Sequence, residues 1–205
     1  MSSFRLLWIP GGFAYRGRAE RALRDAARTL RLTPHLRRVT VVVRPRPGVD
    51  EAHVLWRAVG RRVDVRVVVD LGHFLTPAGR RALGKCGIGA ADVPPRRYSD
   101  RAARAAFLHE LSHVADHVRR GIDGSVVPPR RWASFNEAWN VWIDGRLSRR
   151  GRPALTRGER LAAFHHTFAR RGRARRRVEP VFDRLWRADR LSQRDLLDLV
   201  ETLVG

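Results

Sequence analysis

Two histidines and a glutamate stand at a spacing that suits metal chemistry in residues 109–113, which read His-Glu-Leu-Ser-His. On an α-helix, positions i and i+4 lie on one face, one turn apart, so His109 and His113 can direct their imidazoles at the same ion. Glu110 stands beside that face, where its carboxylate can take a proton from a water molecule at the metal without being a ligand. The spacing therefore predicts a metal centre that activates water.

The His-Glu-x-x-His spacing is rare by chance. In a chain of 205 residues with 8 histidines, roughly 0.01 matches would arise by random placement. The alternative interpretation is a pair of surface histidines on a basic helix. Apolar residues at helical spacing favour the metal site, because they give the helix a buried face: Phe107, Leu108, Leu111, Ala115 and Val118. A catalytic zinc normally has three protein ligands and an open position for water, so a third ligand is needed.

The third ligand has three candidates downstream of the motif, namely Asp116, His117 and Glu137. Arg119 stands where the longer pattern HExxHxxGxxH needs its last histidine, and Asp116 stands where it needs glycine, which excludes the metzincin class. A helix rises about 1.5 Å per residue, so His117 lies about 12 Å along the axis from His109, too far to share one ion with both motif histidines. Glu137, on the next predicted helix, is the better candidate.

The stretch around Glu137 resembles the gluzincins, zinc peptidases in which HExxH is followed by a ligating Glu on a downstream helix, often within an Asn-Glu dipeptide. Asn136-Glu137 matches that dipeptide. Val141 occupies the position where the family often has an Asp that orients a zinc-bound histidine, and Asn140 or Asp144 is the candidate for this supporting role. The resemblance covers residues 99–144.

Glu137 also fits a second interpretation. Ser134-Phe-Asn-Glu137 is a capping box, in which a Glu at the third helical position bonds back to the backbone at the start of the helix. A helix that begins at Ser134 would use the carboxylate in this way, whereas an earlier start favours the ligand role. The amphipathic pattern that supports an earlier start comprises Trp132, Phe135, Trp139, Trp142 and Ile143.

The resemblance implies a Zn²⁺ cofactor bound by His109, His113 and Glu137, with Glu110 as the general base that later passes its proton to the leaving amine. It also implies that a substrate peptide lies extended along an edge strand near the metal helix. We nominate Arg62–Leu71 for that strand; the alternative is that it is a plain interior strand. The oxyanion that forms at the substrate carbonyl needs a further donor, and the candidates are Tyr98, Arg146, His165 and His166.

The surrounding patterns predict an α+β fold, with a small N-terminal β-sheet and a mainly helical C-terminal half, zincin-like and in a single domain over residues 1–205. Strands are predicted at Val39–Val43 and Arg62–Leu71, and Glu51–Val59 fits either a strand or a helix. Residues 84–97, rich in Gly and Pro, are predicted to form a loop. The predicted helices are Arg16–Leu32, Asp100–Arg120 with Ser99 as N-cap, Trp132–Leu147, 156–171, 177–189 and 193–204.

Basic residues dominate the composition. The net charge is +22, and of the 42 basic residues only Lys85 is a lysine. Such a field attracts nucleic acid, anionic membrane surfaces or acidic proteins. A GC-rich coding sequence also produces an arginine excess by itself, so both explanations stay open. The run Arg170–Arg177 fits either a phosphate-binding segment or a solvated junction between helices.

Cysteine content and hydropathy predict the compartment. Cys86 is the only cysteine, so no intramolecular disulfide can form, which fits a reducing environment. No run of about 18 apolar residues is present, and the apolar stretch near the N-terminus is broken by Pro10 and lacks a cleavage site. We therefore expect a cytoplasmic protein without a transmembrane segment.

Three functions are open at the level of sequence. The leading hypothesis is a zinc metallopeptidase that acts on a protein or peptide substrate. The alternative is a nucleic-acid-binding protein, held through its arginine-rich surface, in which the zincin site is structural or inactive. A zinc amidase acting on a non-peptide bond is the third, because the chemistry at the carbonyl is the same.

Overall fold

The computed structural model describes residues 4–9, 11–44, 52–86, 95–169 and 175–204. Within these residues the chain forms four β-strands and seven α-helices, and all the strands precede the longest helices. The predicted α+β class is thereby confirmed. The chain divides into two compact units, Met1–Ala115 and Asp116–Gly205. The single domain over residues 1–205 stays a prediction.

The first unit contains a mixed four-stranded sheet. Its order is β1-β2-β4-β3, with β1 parallel to β2, β2 parallel to β4, and β3 antiparallel to β4. Gly60 lies in the short turn between the last two strands in the chain and has a φ of +60°, a conformation that glycine adopts without strain. The strands are β1 (Arg5–Ile9), β2 (Leu36–Arg44), β3 (His53–Val59) and β4 (Arg62–Asp70).

The two faces of this sheet have different surroundings. Alternate residues of β2 and β4 are buried on one face, because successive side chains of a strand point to opposite sides. This buried face includes Val39, Val41, Val43, Val63, Val65 and Val67. On the opposite face the first part of β4 carries charged residues, and β3 exposes 57% of Leu55 there. At the end of β4, Val68 and Asp70 are buried on that side as well. The sheet therefore has one core face and one face that is open except at the end of β4.

The strand predictions are confirmed in part. Val39–Val43 lies within β2, Arg62–Leu71 corresponds to β4, and the ambiguous segment before Gly60 is a strand. The strand β1 was not predicted. Our nomination of Arg62–Leu71 as an edge strand is wrong, because β4 pairs with β2 on one side and β3 on the other. The tight hairpin at Gly60 pairs β3 with the side of β4 that faces away from β2, so β4 is an interior strand.

Three helices belong wholly or partly to the first unit: α1 (Arg16–Thr29), α2 (Pro77–Cys86) and α3 (Asp100–Arg120). The helix α1 ends before the predicted Leu32, because Arg31 adopts a left-handed φ of +50°. The predicted loop over 84–97 is wrong at its start, where α2 continues to Cys86, and residues 87–94 lie outside the described residues. The helix α3 has the predicted bounds.

An aromatic cluster joins α3 to the sheet. Phe107 of α3 lies with its ring centre 6.4 Å from that of Trp8 in β1 and 5.7 Å from that of Phe74. Phe13 also stacks on Trp8, with ring centres 6.0 Å apart. Aromatic pairs at such distances add stability beyond the area they bury. These contacts hold α3 in place at Phe107, two residues before the first histidine of the motif.

The second unit is helical in its described residues. The helix α4 contacts the three helices that follow it, and its buried side includes Phe135, Trp139 and Trp142. The run Arg170–Arg177 falls mostly outside the described residues. In the described part of the chain, no helix is long and apolar enough to cross a membrane. The helices are α4 (Pro129–Arg149), α5 (Arg157–Ala169), α6 (Arg175–Arg187) and α7 (Gln193–Val204).

Gly145 permits the close approach of α4 to α6. A Cβ atom at this position would lie 2.3 Å from the carbonyl oxygen of Trp186, which belongs to the backbone and cannot rotate away. We expect Gly145→Ala to lower the free energy of unfolding by about 1–3 kcal/mol, because the helices must shift apart. Gly158→Ala is the control, since nothing lies within 4 Å of its Cβ position. Urea denaturation compares the two, and equal stabilities would contradict this packing.

Candidate metal centre

The helix α3 positions both motif histidines. Its start is fixed by Ser99, whose Oγ accepts a hydrogen bond from the backbone N–H of Ala102 at 3.1 Å, as expected for an N-cap. His109 is half-buried, and His113 is 5% exposed. Their ring centres lie 5.3 Å apart with planes at 71°. The two imidazoles therefore stand side by side on one face of a well-anchored helix.

This separation of the two rings is compatible with shared zinc coordination. Zinc binds an imidazole nitrogen at about 2.0–2.1 Å, which puts each ring centre about 3.2 Å from the metal. A tetrahedral angle between two such ligands separates the ring centres by about 5.2 Å, close to the observed 5.3 Å. Imidazole nitrogens are also ligands that zinc prefers. These two residues thus fit the predicted ion.

Glu110 lies next to His109 and is 4% exposed. A carboxylate in so dry a position interacts more strongly with nearby charge than one in water does. Ser112, also in the motif, donates its hydroxyl to the carbonyl of Leu108 at 2.7 Å. Because that bond satisfies the hydroxyl within the helix, Ser112 has a local structural role. Glu110 is therefore the motif residue suited to proton transfer.

Glu137 lies inside α4 rather than at its start. The helix begins at Pro129, with Pro128 at the N-cap position, so residue 134 is already helical and 0% exposed. The capping-box interpretation of Ser134 and Glu137 is therefore wrong, because no free backbone N–H remains there for the carboxylate to cap. The Glu137 side chain is 12% exposed. The sequence analysis favours a metal-ligand role for Glu137 if the helix starts before Ser134, and α4 does start before it.

Arg160 of α5 holds the Glu137 carboxylate. Its Nη1 lies 3.4 Å from Glu137 Oε1, while Nε and Nη2 donate to Asp144 Oδ2 at 2.7 and 2.6 Å. Burial is the largest influence and by itself lowers the pKa of Arg160, but Asp144 and then Glu137 outweigh it, so the pKa is raised. Asp144, a candidate for supporting a zinc-bound histidine, is thus engaged with Arg160.

The sequence does not indicate this role of Arg160, because its partners Asp144 and Glu137 lie 16 and 23 residues away in the chain.

The structure brings His109, Glu110 and His113 together on α3, whereas Glu137 belongs to the second unit. Across the described residues, no three or more His, Cys, Asp or Glu side chains form a group that could hold a metal ion. No family model, curated protein or solved structure matches this chain. The third ligand and the gluzincin resemblance therefore stay predictions.

Asp116 and His117, the other two candidates for the third ligand, have structural contacts. Arg146 donates to Asp116 through both Nη1 and Nη2, and the indole N–H of Trp139 donates at 2.9 Å. Since both carboxylate oxygens of Asp116 already accept charged or indole donors, that side chain is poorly suited to a metal. Nδ1 of His117 lies 3.2 Å from the carbonyl of Ile122, just beyond the end of α3.

The four candidate oxyanion donors differ in their surroundings. Arg146 is bound to Asp116 and also stacks on Trp142, with its guanidinium 3.8 Å from the ring centre. His165 Nε2 lies 3.5 Å from a carboxylate oxygen of Glu179, and His166 is exposed. The Tyr98 hydroxyl is buried and has no hydrogen-bond partner among the described residues. Burial raises the pKa of Tyr98, so its hydroxyl stays protonated and able to donate.

Proposed function

We propose that this protein is a zinc-dependent hydrolase, and specifically a metallopeptidase, with its centre at His109, Glu110 and His113. The observation that carries the proposal is the pair of imidazoles on one face of α3, with ring centres 5.3 Å apart beside a buried carboxylate. Glu137, on α4, is the third ligand in this proposal.

In the proposed reaction, His109, His113 and Glu137 would hold the ion. Zinc bound there would supply Lewis-acid chemistry to the substrate carbonyl and to water. Glu110 accepts the proton of the attacking water and afterwards gives it to the leaving amine. Arg160 binds one oxygen of Glu137 and so fixes the orientation of that carboxylate.

The outer strand β1 is the site we propose for an extended substrate, in place of the interior strand β4, because its Trp8 contacts Phe107 of α3 two residues before the motif. It pairs with β2 on one side only, and no other described strand pairs with it. The backbone groups along its outer side can therefore bind a peptide by strand addition. A single cysteine fits action in a reducing compartment such as the cytoplasm.

Metal content tests the ligand set. We expect about one zinc per chain in the wild type, a sharp loss in His113→Ala and in Glu137→Ala, and an unchanged content in Glu110→Gln, because only the first two remove a donor atom. Mass spectrometry of the purified protein measures it, and His166→Ala, an exposed histidine on α5, is the control.

Each departure from this pattern has a definite meaning. Zinc retained in Glu137→Ala would remove Glu137 from the ligand set while leaving the two histidines in place. A wild-type chain that takes up no zinc after reconstitution would overturn the metallopeptidase proposal and favour the nucleic-acid-binding alternative. An amidase would show the same metal pattern, and a peptide library without any cleaved member would favour it.

A further inference from the structure

The open face of the sheet in the first unit carries an unusual number of arginines. Strand register decides which side chains share this face, because directly paired residues point to the same side. Arg5 pairs with Arg38, Leu55 pairs with Arg66, and Arg57 pairs with Asp64. We call this surface the basic face; its arginines are Arg5, Arg38, Arg44, Arg57, Arg62 and Arg66.

Negative charge on the basic face does not balance these arginines. Asp64 accepts hydrogen bonds from Arg37 and Arg38, and Arg57 lies 3.9 Å from it. The hydrogen bond from Arg37 is the main cause that lowers the pKa of Asp64, so this carboxylate is ionised and already shared among three guanidinium groups. Asp70, the other carboxylate of β4, is buried at the end of the strand. Among the described residues, the face therefore keeps a positive excess.

Three arginines of the basic face, Arg5, Arg44 and Arg66, are exposed and form no ion pair with another described residue. Arg5 and Arg38 stand directly opposite each other on neighbouring parallel strands. Like charges in that position destabilise a sheet. A bound anion would relieve this repulsion.

Some arginines outside the sheet have an acidic partner. On α1, Arg24 pairs with Glu20 and Arg28 pairs with Asp25, and on α5 Arg157 pairs with Asp183 of α6. The basic face differs from these surfaces because its arginines share one side of a sheet, where a single extended anionic ligand can contact several of them at once.

The basic face contains a groove of about 410 Å³, lined by Arg38, Thr40, Leu55, Trp56, Arg57, Asp64, Val65 and Arg66. Guanidinium groups bind phosphate oxygens in a forked geometry, and the Thr40 hydroxyl can donate to them as well. The groove thus offers several contacts to phosphate groups.

We propose that the basic face binds the phosphate backbone of nucleic acid without regard to base sequence. The arginines are distributed over all four strands, and on β4 Arg62 and Arg66 lie four residues apart, so they suit a ligand that presents several negative charges across the face. Nucleic acid carries such charges at high density, and it binds basic proteins through them whatever the sequence. An acidic protein segment has a lower charge density, and its carboxylates are not held in a regular array.

The test compares two triple variants with equal change of charge. Arg5→Gln, Arg57→Gln and Arg66→Gln together remove charge from the basic face while leaving the Arg37 and Arg38 bonds to Asp64 intact. The control removes three exposed arginines of the second unit, none of which pairs with another described residue: Arg130, Arg150 and Arg152, each changed to Gln. Fluorescence anisotropy with labelled duplex DNA and with single strands of equal length, from low to high salt, measures binding.

We expect the wild type to bind both probes and to lose affinity as salt rises. The basic-face triple variant should bind at least about tenfold more weakly, and its salt slope should fall by about 2–3, since each neutralised phosphate contributes about 0.9. The control should keep most of the affinity. Substituting lysine at the same three positions of the face should restore binding, which excludes misfolding as the cause, and thermal melting checks each variant.

Three results would overturn the proposal: no binding of nucleic acid by the wild type, an equal loss in both triple variants, or binding of anionic lipid vesicles alone. The inference does not depend on the metal centre. Glu110→Gln is expected to leave DNA binding unchanged, because Glu110 is buried on α3, outside the basic face. Failure of either proposal is therefore distinguishable from failure of the other.

Discussion

Glu110→Gln is expected to slow peptide hydrolysis by about 10²–10⁴-fold while zinc stays bound. The amide has nearly the size of the carboxylate, so it fits the same position, where Glu110 is 4% exposed. It cannot accept a proton from water, and general-base catalysis contributes rate factors of this magnitude. The effect should therefore appear in kcat rather than in metal content or folding.

Ser112→Ala is the control for this prediction. Ser112 lies two residues from Glu110, is 4% exposed and donates its hydroxyl only to its own helix. Its loss should leave the rate of hydrolysis nearly unchanged. Measurement requires a peptide identified from a library and assayed with wild type and both variants at equal zinc content. A Glu110→Gln enzyme that keeps the wild-type rate would show that another group takes the proton.

The helix α3 could be predicted closely because its signals are local. Ser99, the apolar spacing from Phe107 onward and the glycine after Arg120 define α3 within neighbouring residues, and the structure gives the same bounds, Asp100–Arg120. The side-by-side arrangement of His109 and His113 follows from helical geometry alone. For such features, residues a few positions apart determine the structure.

The errors in the sequence analysis concern longer-range structure. The predicted helix Trp132–Leu147 is shorter than α4, which runs from Pro129 to Arg149, and the alternative start at Ser134 is wrong. The strand Arg62–Asp70 has the composition of a buried strand, but only the pairing of β3 along its outer side makes it interior. Local patterns do not contain that information.

At the candidate site, the role of Arg160 also depends on residues that are distant in sequence. In a chain whose basic residues are almost all arginine, nothing in the sequence near position 160 marks it as different. Its burial and its two carboxylate partners arise from the packing of α5 against α4. The side chains that orient a site are often supplied in this way by elements distant in sequence.

Replacing Arg160 by methionine is expected to lower the free energy of unfolding by about 3–5 kcal/mol. The Asp144 and Arg160 side chains are 1% and 9% exposed, and that of Glu137 is 12% exposed. Methionine fills much of the space but leaves two carboxylates in a dry environment without the cation between them. Removing one partner of a buried ion pair has a cost of this size, because the remaining charge is uncompensated.

Arg157→Gln on the same helix is the matched control. Arg157 pairs with Asp183, and their side chains are 49% and 35% exposed, so water screens the charges. We expect a change of about 1 kcal/mol or less. Urea denaturation at neutral pH measures both variants. Equal losses would contradict a special role for the buried arginine.

The same variant also tests whether Glu137 binds zinc. If it does, the ion supplies positive charge to a carboxylate that has lost its guanidinium, and a ligand that binds only the folded state raises its stability. Zinc should then recover more stability in Arg160→Met than it adds to the wild type. In the double variant Arg160→Met with Glu137→Gln, that recovery should vanish. Recovery that persists without the Glu137 carboxylate would place the ion elsewhere and leave Arg160 as a purely structural residue of the second unit.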